Sequence, residues 1–340
     1  MSELGSEERI IRTLELRETD RVPTFEWYID KRVIESLLPG SNYEKFCYDM
    51  DIDAICIECD YENKYLDGGL IEDEWQMIKK DTGEAHTFPL DGPVRTMKDA
   101  EQYIPPDPHK PGRYTSIEKA IKEHKGKKAL ILHLNDVFSI PSRLMPFETF
   151  LIKLMEEPEI VKILIEKTID INLEMAKEAA KRGVEIIYTG DDFAYNSGLI
   201  IPPAKFSEIF FPELKRVIKG YKELGLKVIK HTDGYIMPIM DMIIEAGFDC
   251  IDPIDPIAGM SLQKVKSEYG KKICIKGNVD CSETLSFKSV SEAIEETKKC
   301  LEIGMPGGGY ILSSSNSIHS AVKPDNYQAM LETLKQYGKY

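Results

Sequence analysis

His231 and Asp233 lie two residues apart in Lys227-Val-Ile-Lys-His-Thr-Asp-Gly234, which reads as a short buried strand, Val228 to His231, closing in a glycine turn. Alternate residues of a strand leave on one side, so the imidazole and the carboxylate converge if the extended geometry persists to Asp233. Such a pair can hold a divalent metal or work as acid and base. It also suits a histidine that hydrogen-bonds a neighbouring aspartate for structural reasons. What the rest of the chain brings to the same place decides among these readings.

The elements that position this pair repeat along the chain. Apolar runs at Val22–Tyr28, Ala54–Glu58, Ala129–His133, Val184–Tyr188, Val228–His231, Cys250–Asp252, Ile273–Lys276 and Gly309–Leu312 read as strands. Amphipathic segments at 116–125, 147–156, 158–182, 204–224, 235–246, 261–269, 290–303 and 325–336 read as helices between and after them. Short Val/Ile-rich runs that alternate with helices are the pattern of buried parallel strands. Eight such units predict an α/β chain folded as a (β/α)8 TIM barrel, one domain over residues 1–340. An open doubly wound sheet fits less well, because no G-x-G-x-x-G follows a strand and Gly307-Gly-Gly309 precedes one. Residues 60 to 115 break the rhythm, and Glu72–Ile78 with Glu84–Phe88 reads as a hairpin inserted after the second strand. Long excursions at a strand's C-terminal end serve a function or seal the barrel's edge.

In a barrel the chemistry sits where strands finish. The predicted strand ends carry Glu26-Trp-Tyr28, Glu58-Cys-Asp60, His133-Leu-Asn-Asp136, Gly190-Asp-Asp192, His231-Thr-Asp233, Asp252-Pro-Ile-Asp255, Gly277-Asn-Val-Asp280 and Ser313–Asn316, with His319 just beyond. Crowded carboxylates raise one another's pKa unless a cation neutralises them, and a divalent metal is the simplest cation. His231, Asp233 and Asp191 are therefore the candidate ligands, with Asp191, Asp233 and Glu58 as candidate proton carriers. Asp192 reads more readily than Asp191 as a helix N-cap. Asn135, Asn278, Asn316 and His319 suit orientation of a polar substrate, and Trp27, Tyr28, Phe193 and Tyr195 suit stacking on an aromatic ring, although such rings also pack cores.

Composition narrows the partners. The formal charge of −14, from 58 acidic and 44 basic residues, disfavours nucleic acid and anionic membranes. No apolar run approaches the roughly 20 residues that span a bilayer, and the polar N-terminus lacks the apolar stretch of a signal peptide. Seven cysteines, an odd number, fit free thiols in a reducing cytoplasm. Cys56 and Cys59 have C-x-x-C spacing, but on a strand they face opposite ways, which argues against a redox or zinc role.

Gly190-Asp-Asp-Phe193, Asn196–Pro203, Phe210–Arg216, His231-Thr-Asp-Gly234, Gly247–Pro253, Lys276–Asp280, Gly307–His319 and Pro324-Asp-Asn326 together resemble the signature of the uroporphyrinogen decarboxylase superfamily. Arg21-Val-Pro23, Asp73-Glu-Trp75 and Gly92–Arg95 extend the resemblance almost end to end. The resemblance implies a barrel with its site at the strand C-termini, and it divides into haem-pathway decarboxylases and cobalamin-dependent methyltransferases. Phe25–Arg32 lacks the arginine- and glutamine-rich segment by which decarboxylases grip tetrapyrrole carboxylates, and Glu26 and Asp30 would repel such acids.

The methyltransferase branch implies zinc held by a His-x-Cys pair and a later cysteine. His231 matches the histidine, Asp233 stands in place of the first cysteine, and Ser313–Ser315 occupy the region of the late one. Nitrogen and oxygen ligands leave a metal a stronger Lewis acid than thiolates do, which favours ether activation over thiol activation. The expectation is thus a zinc-dependent methyltransferase taking a methyl group from a small O-methyl, methoxylated aromatic donor. Cobalamin would be supplied by a partner corrinoid protein, and the superfamily resemblance implies a homodimer. The alternatives are a methylcobalamin:thiol methyltransferase, a decarboxylase-like lyase, and a non-catalytic corrinoid- or tetrapyrrole-binding barrel.

Overall fold

The computed structural model describes residues 3–80 and 89–340. Seven parallel strands form one curled sheet in chain order: Ala54–Ile57, Ala129–Leu134, Ile186–Gly190, Lys227–His231, Cys250–Asp252, Cys274–Val279 and Tyr310–Ser314. Helices pack around it, giving a TIM-barrel-like α/β fold. The helices include Pro158–Arg182, which buries Val161, Leu164, Ile165 and Ile169 and stops at Gly183 in the left-handed region, φ 103°. Each fully buried Val, Leu or Ile contributes roughly 1.5–3 kcal/mol. A connected hydrophobic core of such residues runs from Ile10 to Leu334.

The expected first strand, Val22–Tyr28, does not form a ladder. It meets the sheet through isolated bridges, Thr24 to Leu312 and Ile29 to Ile318. Leu312 donates its N–H to the Pro23 carbonyl and Asp53 donates its N–H to the Thr24 carbonyl, at 3.0 and 2.8 Å. The segment thereby joins the last strand to the entry of the first. Two features keep it from regular pairing: Pro23 has no N–H, and the Thr24 N–H goes to the Asp53 carboxylate, 3.0 Å. Arg9 and Arg21 also bind Asp53, at 2.6 and 2.8 Å, a buried ion-pair cluster well away from the site described below.

Four strands run past the boundaries that hydropathy suggested, to Leu134, Gly190, Val279 and Ser314. Hydropathy ends a strand at the first polar residue, yet the barrel interior takes Lys276 and Ser313–Ser315 because each finds a buried partner. The helical stretch 204–224 contains a π-turn at Phe206–Phe210, and 235–246 begins as a 3₁₀ turn at Met237–Ile239.

The insertion also differs from the expected hairpin. Asn63–Leu66, Leu70–Asp73 and Ile78–Lys80 form a three-stranded antiparallel sheet, so Glu72–Ile78 is two strands joined by a turn at Gln76, φ 64°. Glu84–Phe88, the expected second arm, lies outside the described residues. Buried Arg113 fastens the insertion by donating to the Asp60 carbonyl, 2.6 Å, and by an ion pair with Glu74. Cys56 and Cys59 are free thiols, and burial pushes both up to about 12, as suits packing rather than reactivity.

Candidate metal centre at the barrel mouth

Register assembles the site. Gly190 pairs with His231 and His231 with Asp252 across three adjacent strands, so their inward-facing groups share one level. Gly190 leaves room there: a Cβ on it would lie 2.7 Å from the His133 ring nitrogen Nε2. Tyr188 stacks on His231 with centroids 5.6 Å apart, and Trp27 stacks on Tyr188 at 5.4 Å. These aromatic faces hold the imidazole plane.

Asp252 is the hub beneath it. Its carboxylate meets His231 Nδ1 at 3.0 Å and accepts the Tyr188 hydroxyl at 2.6 Å and the Lys276 ammonium at 2.7 Å. Burial disfavours its ionised form, but Lys276 and His231 outweigh this and hold Asp252 down at about 2. An ionised Asp252 fixes the proton of neutral His231 on Nδ1 and leaves Nε2 as the electron-pair donor. That Nε2 lies 3.5 Å from Asp233 Oδ1 and 3.7 Å from Asp192 Oδ1.

His231, Asp233 and Asp192 are thus the grouping with metal-ligand spacing at the mouth. Burial opposes protonation of His231, but Asp233, Asp252 and Asp192 overcome it and raise its pKa to about 9. Burial, with Asp192, Asp255 and Asp252 adding, lifts Asp233 to about 7 against the pull of His231. The cluster attracts positive charge. Asp233 Oδ1 is buried with no hydrogen-bond partner among the described residues, while Oδ2 takes the Asn316 amide at 2.5 Å. An orphaned carboxylate oxygen beside an imidazole lone pair and a second carboxylate fits a divalent cation of zinc's kind.

Asp191, expected as a ligand, is turned away. It is fully buried and accepts the Phe138 N–H at 2.6 Å, the Asp136 N–H at 3.2 Å and the Asn135 amide at 3.0 Å. Burial works against its charge, but Asp136, Lys230 and the Phe138 N–H prevail and keep Asp191 well below the carboxylate range. Burial and Asp191 push Asp136 up to about 8, so the pair shares a proton. Asp191 and Asp192 have exchanged the roles expected of them: the first serves backbone N–H groups and the second faces the mouth. Asp192→Asn is predicted to lower zinc affinity while preserving the thermal unfolding midpoint. Asp191→Asn should do the reverse, since it weakens hydrogen bonds to a charged acceptor worth roughly 1.5–3 kcal/mol each. Equal effects on both readouts would reject this division.

The other expected site residues scatter. Glu58 is exposed and lies 3.4 Å from His133 Nδ1. Asn135 serves Asp191, and Asn278 donates to the Ile254 carbonyl at 2.8 Å. Phe193 packs in the core under Lys230, 3.9 Å from its ring centre. Tyr28 lines a separate cavity with Lys31, Arg32 and Tyr43. His319 Nδ1 accepts the Ala321 N–H at 3.2 Å. Trp27, Asn316 and Tyr195 do reach the mouth or its cavity.

That cavity, about 600 Å³, is bounded by Asp192 and Asp233 together with Phe138, Arg143, Phe147 and Tyr195. It falls within the roughly 300–1,000 Å³ usual for small-molecule sites. Tyr195 belongs to a small hairpin, Ala194–Tyr195 with Gly198–Leu199, that sits against Gly234. Gly234 has φ 85°, and a Cβ there would meet the Tyr195 carbonyl at 2.6 Å, so only glycine lets the hairpin settle.

Sequence patterning did not single out Lys276 or Tyr188, and it read Glu26 as a strand-end charge that would repel tetrapyrrole acids, not as a buried group. Lys276 and Tyr188 interrupt apolar strand runs, which was the available signal. Glu26 is buried and accepts the Ser314 N–H and hydroxyl at 2.9 and 2.8 Å. Burial raises it to about 7 despite nearby Lys276. Its folded pKa exceeds its ordinary value of 4.5, so the folded state holds the extra proton between those two values. The resulting stability is full below the ordinary value and is lost as pH rises through about 7. Glu26→Gln is predicted to flatten the decline in urea midpoint across that window; an unchanged slope would refute it.

A second grouping, His109, Glu174 and Glu178, lies on the surface. Its carboxylates already pair with Lys177, Lys181 and Arg182, which leaves the mouth as the stronger candidate.

Known proteins show matching features. A solved methyltransferase from Methanosarcina mazei superposes with a TM-score of 0.78 at 15% identity, covering 98% of this chain and 99% of that one. Two uroporphyrinogen decarboxylases are similar in sequence. The one from Trichlorobacter lovleyi is 23% identical over 260 residues, 74% of this chain and 73% of the relative. The one from Alkalilimnicola ehrlichii is 19% identical over 270 residues, 75% and 70% of the two chains. The profile of the uroporphyrinogen decarboxylase (URO-D) family matches residues 81–337, and this chain belongs to that family.

Proposed function

We propose that this protein is a metal-dependent methyltransferase that moves a methyl group from a small methoxylated aromatic donor to the Co(I) of a corrinoid protein. The observation that carries the reading is the His231, Asp233 and Asp192 cluster, with its orphaned oxygen, opening on an aromatic-lined cavity. A divalent cation such as zinc held by these residues would supply Lewis acidity toward an ether oxygen. The protein's own groups do the rest. Asp252, itself held by Tyr188 and Lys276, engages His231 Nδ1 and keeps Nε2 turned toward Asp233 and Asp192. Asn316 steadies Asp233, and the Asp233 N–H steadies Asp192 at 3.0 Å. Phe138, Phe147 and Tyr195 offer ring faces to the donor and exclude water from its methoxy group.

In the reaction the O–CH₃ bond breaks and a Co–CH₃ bond forms. The cobalt contributes both electrons of the new bond, passing from Co(I) to Co(III). The departing oxygen leaves with its pair and takes one proton from water.

Thiol activation receives less support. No cysteine belongs to the cluster among the described residues, and Ser314 and Ser315 are engaged with Glu26 and Cys281. The family membership favours a second reading, a metal-free lyase on the same scaffold. Asp192 and Asp233 make the mouth a poor host for a polyanionic tetrapyrrole. The test incubates zinc-loaded protein with reduced corrinoid protein and a panel of methoxylated aromatics, following methyl-cobalt absorbance. Growth of that absorbance supports the proposal, and none with any donor rejects it. Carbon dioxide release from a carboxylated substrate without metal would establish the lyase instead.

A further inference from the structure

The polar groups lining the cavity beside the cluster divide into those the protein has already used and those it has not. Arg143 is engaged within the protein. Ser139 and Ser142 donate their hydroxyl protons to the Gly190 and Ser139 carbonyls, at 3.3 and 3.1 Å. Asp192 and Asp233 belong to the metal cluster, where a divalent cation would balance their two charges. What remains is the tip of the hairpin formed by Ala194–Tyr195 and Gly198–Leu199. Its exposed Asn196 and Ser197 line the cavity, and their side chains have no hydrogen-bond partner among the described residues. The rest of the wall is largely apolar, with Phe138, Met145, Phe147 and Ile200. Residues 81–88, which precede Pro89 of the wall in the chain, contain no lysine or arginine.

The hairpin tip is held in place. Tyr235 donates its N–H to the Tyr195 carbonyl at 3.0 Å, and Ile200 donates to the Phe193 carbonyl at 2.9 Å. A carboxylate drawn into this cavity gives up hydration that no uncommitted cation of the described wall replaces, which is costly. A phenol hydroxyl is uncharged and both donates and accepts, and the amide of Asn196 offers it a matching acceptor and donor. We propose that the methyl donor is an uncharged methoxyphenol whose hydroxyl is received by Asn196, and that the cavity discriminates against methoxylated aromatic acids. This rests on the methyl-transfer reading for the methoxy end only; the uncharged polar end stands on the lining of the cavity.

The test measures binding calorimetrically on zinc-loaded protein with the three methoxyphenols, the three methoxybenzoates and methoxybenzene. The best methoxyphenol is expected to bind at least about tenfold more tightly than the best methoxybenzoate. It should exceed methoxybenzene by about fivefold, the worth of one hydrogen bond. Asn196→Ala should erase the preference over methoxybenzene with zinc content unchanged. Asn196→Lys, which supplies the missing counter-charge, should raise methoxybenzoate affinity. A methoxybenzoate that binds the wild-type protein as tightly as the best methoxyphenol would overturn the inference, as would a phenol preference that survives Asn196→Ala. The expected order of binding, found together with no methyl-cobalt formation from any donor, would support the uncharged site while rejecting methyl transfer. Methyl-cobalt formed as fast from a methoxybenzoate as from the best methoxyphenol would uphold methyl transfer and overturn the discrimination.

Discussion

Replacing His231 with alanine is expected to lower zinc affinity by more than about 100-fold, because even groups that only support a metal ligand are worth about 10–100-fold. The variant removes the only nitrogen of the cluster and leaves Asp192 and Asp233 facing each other. Metal content after dialysis and chelator competition read the loss. The fold should persist, since Asp252 keeps its bonds from Tyr188 and Lys276. Zinc bound at wild-type stoichiometry and affinity would remove His231 from the site. The same geometry sets a pH dependence. His231 holds its proton up to about 9 and Asp233 up to about 7. Zinc binding at neutral pH must therefore expel protons, and affinity should rise with pH until His231 has titrated. Proton release measured in two buffers of different ionisation enthalpy checks this, and no release would contradict it.

The second large effect is expected from Lys276→Met. The Lys276 ammonium is buried, donates to Asp252 at 2.7 Å and lies near Glu26. Removing one partner of a buried pair strands the other charge at a cost of about 3–5 kcal/mol. Asp252 is the carboxylate that loses its counter-charge, while Glu26 already holds its proton up to about 7, so a loss within that range is expected, read from urea unfolding of the metal-free protein. Asp252→Asn added to Lys276→Met should recover part of the loss by removing the stranded charge. A destabilisation below about 1 kcal/mol would mean that solvent reaches the pair and screens it. Asp252 also orients His231, so Lys276→Met should weaken zinc binding through the tilt of the imidazole.

Much of the architecture was legible from the chain. Helices at 147–156 and 158–182 were placed at their observed bounds because long amphipathic periodicity leaves little freedom. The strands were located but cut short, since Lys276, Gly277 and Asn278 look like an exit from the sheet and are in fact buried within it. The segment 22–30 has strand composition, yet Pro23 and the Asp53 carboxylate divert its hydrogen bonds.

The sequence by itself determined that His231 and Asp233 would converge at a strand end, because alternation along an extended chain is a local property. It also determined that neither would be joined by a cysteine two residues on. Only the tertiary structure decided between Asp191 and Asp192. Adjacent residues leave a strand end in opposite directions, and which direction is the mouth depends on the neighbouring strands and loops. The Phe138 and Asp136 N–H groups, 53 and 55 residues away in the chain, claim Asp191 and leave Asp192 to the cavity. Likewise Asp252, Lys276 and Tyr188 acquire their part in the site through lateral register between strands, a relation that no single segment encodes.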